Sequence, residues 1–191
     1  MSTTYDFGSG PVPAHRHTNP DGKLGGWVAD TATVGPTARI GKNAWVYGNA
    51  EVCGNARVLG DAEVSGHAVV SGSAMVSGGA MVYGDAKVFD NAWVSGDAWV
   101  FGNAQVFDNA KVSGDAVVSG DAKVSGNAEV SDDAQVSGNA GVFGNAKVSG
   151  NAKVFGGAKV SGNAKVSDNA EVFGHAKVFG NEWVSGESVL V

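Results

Sequence analysis

Only one cysteine, Cys53, occurs in 191 residues, so no internal disulfide can staple the chain. A disulfide-built secreted fold is excluded; export is not. No stretch approaches the roughly 20 apolar residues of a membrane span. The N-terminal MSTTYDFGSGPVPAHRH lacks a basic start followed by an apolar run, and does not read as a standard signal peptide. Cytoplasmic residence is the default these absences leave, and a virion component assembled in the cytoplasm fits equally. Basic charge is also scarce. Against 19 Asp and Glu stand 13 Lys and Arg, a formal net charge of -6 with no basic stripe, which argues against general nucleic-acid binding. Threonine disappears after Thr37. The regular threonine arrays of ice-binding solenoids are therefore missing.

What is present is one six-residue unit, Ala-x-Val-x-Gly-Asn/Asp, running without insertion from Ala32 to Glu187. Self-similarity at a fixed short period names an architecture before single residues are weighed. Val holds its position in 25 of 26 units, with Ile40 the exception, and Ala holds the position two earlier in 25, with Glu182 the exception. Residues two apart on a strand share a side, so Ala and Val point inward and the neighbours of Val point outward. A helix is excluded, because period six does not hold one face of a 3.6-residue helix. Gly fills the fifth position in 20 units, and Asn or Asp the sixth in 19. These residue types suit a corner needing left-handed backbone angles. Asp replaces that Gly at Asp90, Asp108, Asp132 and Asp168.

Three such strands and corners close a coil of 18 residues. The reading is all-β: a triangular parallel β-helix of about nine coils over residues 32–191, with residues 1–31 as a capping segment. At the roughly 4.8 Å strand spacing the rod is about 40 Å long. Stretches such as GNAKVSGNAKVF at 144–155 resemble the hexapeptide-repeat superfamily over about four-fifths of the chain. That resemblance implies a left-handed coil, against the general right-handed preference of parallel crossovers. At the far end the apolar Val189-Leu190-Val191 is expected to close the core, with a docking edge as the other reading.

Grouping every third unit separates three outer walls. One carries a serine column from Ser77 to Ser185. A second carries Phe89, Phe107, Phe143 and Phe179 among serines. The third carries Trp45, Tyr47, Met81, Tyr83, Trp99, Phe101, Phe155 and Phe173. Large exposed apolar patches tend to mark contact sites, so this third wall is the expected interface, with another copy or with a protein partner.

Chemistry is sparse. The hexapeptide resemblance implies an acyltransferase using acetyl-CoA between subunits of a trimer, with a histidine base. This chain offers only His15, His17, His67 and His175. His67 and His175 fall at equivalent corners six coils apart, about 29 Å at strand spacing, too far to share a site. Trp27-Val28-Ala29-Asp30-Thr31-Ala32-Thr33-Val34-Gly35 is similar to the start of the carbonic-anhydrase-like branch. That branch's three metal-binding histidines and Arg-Gly-Asp stretch are missing. His15 and His17 fall short of the three or four ligands a zinc site normally takes. The expectation is a non-catalytic scaffold or binding module without cofactor or metal, self-associating (a trimer favoured by the resemblance) or bound to a partner. It has the character of a phage-type spacer by analogy of architecture alone. The acyltransferase is the first alternative, and an inhibitor mimicking an acidic partner surface the second.

Overall fold

The computed structural model describes residues 3–191. Twenty-seven two-residue strands, from β4 (Thr33–Val34) to β30 (Val189–Leu190), recur every six residues. All but the last three pair in parallel with the strand 18 residues on, as Val64 with Val82 and Val82 with Val100. Three sheets result, of 12, 9 and 9 strands, forming the walls of an all-β parallel β-helix of about nine coils. No helix among the described residues is long and apolar enough to cross a membrane.

The backbone accounting repeats with the sequence. In each unit the amides flanking Val donate to carbonyls of the next coil, as Trp45 N to Ala62 O and Tyr47 N to Val64 O, both at 3.0 Å. The corner adds a third bond, Asn49 N to Gly66 O at 2.7 Å. Paired in this way, two-residue strands satisfy nearly all of their polar groups despite their length. The interior is a column of Ala and Val, sealed from Ala38 to Val172. The corner glycines need their lack of a side chain twice over. Gly120 has φ +66°, and a Cβ there would meet the Gly138 amide at 2.9 Å. The four corner aspartates take the same conformation, with φ between 58° and 60°.

The N-terminal segment extends the rod. Strands β1 (Thr4–Asp6) and β2 (Pro11–Thr18) form an antiparallel hairpin, and β2 pairs antiparallel with β3 (Leu24–Ala29). β3 then joins the repeat in parallel, Trp27 beside Trp45. Gly25 and Gly26 let β3 lie against the first coil, where a Cβ would strike the carbonyls of Ile40 and Ala44. The Asn19 amide closes the edge of another wall. Ile40 N donates to its Oδ1 at 2.8 Å, and its Nδ2 donates to Ile40 O at 3.0 Å. These bonds take up the Ile40 backbone groups at that edge. At the other end Leu190 occupies the inward register position beside Val172 but is 38% exposed, so the last strand adds to the column without closing it.

Candidate assembly interface

The eight aromatic and methionine positions expected to share a wall lie on the 12-stranded sheet. They form three patches. Trp45 and Tyr47 open the wall, and the hairpin folds onto them. Tyr5 stacks on Trp27 at 4.5 Å and meets Trp45 edge-on at 5.6 Å, while Phe7 stacks on Tyr47 at 4.9 Å. With Ala14 and Ala29 these rings make a second small core outside the prism. The Tyr47 hydroxyl donates to Glu63 Oε2 at 3.0 Å, and burial pushes its phenol above the ordinary value, with Glu63 adding to the rise.

The central patch is the open one. Met81 sits beside Trp99 in register, and Tyr83 and Phe101 stack with centroids 4.9 Å apart and planes 5° from parallel. Trp99 is 44% exposed. The third patch is the Phe155–Phe173 stack, at 4.9 Å and 9°. Glu63 and Ser65 separate the first patch from the second; Ser119, Gln135 and Ser137 separate the second from the third. Each stack is already ordered, so contact would cost it little rotamer entropy.

The serine wall, read in the sequence from the residue after each Val, also carries two tryptophans. Trp93 and Trp183 precede their valines and lie back across the coil before, each indole N–H reaching a serine hydroxyl: Ser77 at 3.3 Å and Ser167 at 3.1 Å. They are 44% and 70% exposed. Each indole lies over the small serine of the coil before, 16 residues earlier in the chain. On the phenylalanine wall Phe89 and Phe107 stack within 1° of parallel.

The titratable groups do not converge. His67 and His175 stand exposed at corners of separate coils. His15 Nδ1 is 2.8 Å from Asp30 Oδ1, while His17 is buried under the first coil. Among the described residues no group of three or more His, Cys, Asp or Glu could hold a metal ion. Burial raises the Cys53 thiol, and its bond with Glu51 raises it further. The ion pairs serve the walls. Glu129 lies 2.6 Å from Lys147 and 4.0 Å from Lys111, and the Lys147 bond holds its carboxyl below the ordinary value.

The three-walled parallel rod defines the chain as an all-β parallel β-solenoid. Residues 38–141, more than half of the chain, match the family described as Bactofilin: polymer-forming cytoskeletal, and the chain belongs to the bactofilin family. No curated protein matches it. The match names bactofilin and does not name the hexapeptide-repeat superfamily; the parallel β-helix is common to the reading and the structure. The match says nothing of an acyltransferase or a trimer.

Proposed function

We propose that this chain is a cytoplasmic, non-catalytic rod that self-associates into a polymer, with the central aromatic patch as its contact. The observation that carries this reading is the Met81, Tyr83, Trp99 and Phe101 cluster. It is an ordered apolar surface on one wall, with Trp99 exposed and Met81, Tyr83 and Phe101 half-buried, whereas Trp45 and Tyr47 have the chain's own hairpin packed on them. The family description, polymer-forming and cytoskeletal, points the same way. Tryptophan at the centre of a flat apolar patch is the residue type that dominates contact energies. The test is solution mass by light scattering across protein concentration. A mass that climbs with concentration in the wild type and falls to that of a small unit in Trp99→Lys supports the reading. An unchanged mass in Trp99→Lys removes this wall from the contact, and a concentration-independent trimer removes the polymer.

A second contact is favoured by the exposure of Trp183, Val189 and Leu190 around the last coil. Strand edges with apolar neighbours pair readily. Leu190→Lys separates the two surfaces: loss of polymer in that variant alone assigns growth to the rod's end.

A further inference from the structure

Charge is sorted along the rod. Residues 60–135 carry eleven Asp or Glu and three Lys; residues 145–180 carry five Lys, one Asp and one Glu. At 18 residues per coil these are an acidic belt about four coils deep and a basic belt of about two.

Some columns that run through these belts neutralise themselves by alternation. Lys111, Glu129 and Lys147 succeed one another in one register column, and Lys153 Nζ lies 3.2 Å from Glu171 Oε1 in another. The two belts contain ladders that do not alternate. Asp97, Asp115 and Asp133 occupy one corner in three successive coils. The stacking is direct there, since Asp97 N donates to Gly114 O and a Cβ on Gly114 would touch the Asp132 backbone. All three are exposed, and none joins an ion pair among the described residues. In the basic belt Lys159 stands beside Lys177, and Lys165 beside Lys147, whose other neighbour in the column is Glu129. Like charges at strand spacing repel and destabilise the fold that holds them. Both ladders place their charges at the same interval, one coil rise.

We propose that two copies of this chain pair side by side and antiparallel, the acidic belt of each lying against the lysine belt of the other. Parallel rods in register set acid on acid and lysine on lysine. Antiparallel rods related by a two-fold axis between the belts satisfy both belts at once, and the contact is self-complementary. Acids stand at all three corners and lysines on all three walls, so the charge pattern selects direction and axial offset rather than one wall. Single exposed ion pairs contribute little. A ladder of several acts through their sum, and that sum is screened by salt. This pairing goes beyond the aromatic contact: it sets the direction and axial offset of neighbouring rods.

The experiment uses the full chain and two charge-reversed forms, one with Asp97→Lys, Asp115→Lys and Asp133→Lys, the other with Lys159→Glu, Lys165→Glu and Lys177→Glu. Neutral forms with Asn and Gln at the same positions guard against misfolding, and melting curves report the fold of each. All carry Trp99→Lys and Leu190→Lys, so polymer growth is removed and failure of lateral pairing is distinguishable from failure of the polymer reading. Sedimentation in low and high sodium chloride reads the pairing. The expected result is a paired parent at low salt that separates at high salt, with each reversed form single at both. An equimolar mixture of the two reversed forms is expected to pair at least tenfold more strongly than either alone. Pairing that ignores salt, pairing of one reversed form with itself, or a mixture of folded forms that stays single would overturn the proposal.

Discussion

Phe7 lies flat on Tyr47, ring centroids 4.9 Å apart, although one belongs to the hairpin and the other to the repeat. This contact makes the hairpin part of the wall. Phe7→Ala removes a buried ring, a change that typically costs about 3–5 kcal/mol. The loss should fall on the hairpin alone, because the Ala and Val column does not include it. Hydrogen exchange should show amides of residues 4–18 losing protection while the main melting transition stays in place. A matching drop in that transition would mean that the hairpin and the repeat unfold as one unit.

The corner aspartates separate backbone strain from hydrogen bonding. A left-handed conformation costs a non-glycine residue roughly 1–2 kcal/mol, with Asp at the low end. The Asp132 carboxylate recovers part of this by accepting from Gly150 N at 3.0 Å, whereas Asp90 reaches Asp108 N only at 3.5 Å. Asp90→Gly should therefore stabilise the rod by about 1 kcal/mol, and Asp132→Gly by less. Thermal melting of the two variants side by side checks the order, and equal shifts would remove the role given to the bond.

The cap should weaken in mild acid. Burial holds the His17 imidazole below its ordinary value of 6.5, the neighbouring His15 adding to the effect and a backbone hydrogen bond at Ala38 opposing it. The unfolded cap thus takes up a proton before the folded one does. Its stability is full above pH 6.5 and declines below it, until the folded ring protonates too. Protection of the amides of residues 14–18 should fall severalfold between pH 7 and 5, after correction for intrinsic exchange. His17→Gln should flatten that dependence. A wild-type profile without slope would mean that His17 titrates alike in both states.

The walls and coil number were legible because period and register are the same information. Once Ala and Val point inward, residues 18 apart must stack. The patches were less legible. Trp45 and Tyr47 look identical in kind to Tyr83 and Trp99, yet the hairpin covers the first pair, and no repeat predicts where a non-repeating segment folds. Trp93 and Trp183 escaped because a serine column reads as a solvated surface until an indole is seen lying across it. The hand was not legible in the period, since left and right coils share it; the left-handed expectation rests on the hexapeptide resemblance alone.

Deletions should respect the coil. Removing residues 109–126 takes out 18 residues and joins Asp108 to Asn127, leaving every later residue on its own wall. The rod should shorten by about 4.8 Å and melt slightly earlier, as expected for an array stabilised by neighbour contacts. Removing residues 109–114 should also fold, but moves every later column round by one wall and carries Phe155 and Phe173 away from Trp99. Solution scattering measures the length, and an unfolded 18-residue deletion would contradict the independence of coils.

The unbroken 18-residue step gives the molecule a coordinate system. Dividing a residue number by 18 gives height along the axis, and the remainder gives the compass bearing. Two groups attached at outward positions therefore have a separation fixed by subtraction, adjustable in increments of one coil rise and in three bearings. The same arithmetic makes every outward substitution a change at a known address, so neighbouring rods can be mapped against one another by residue number alone.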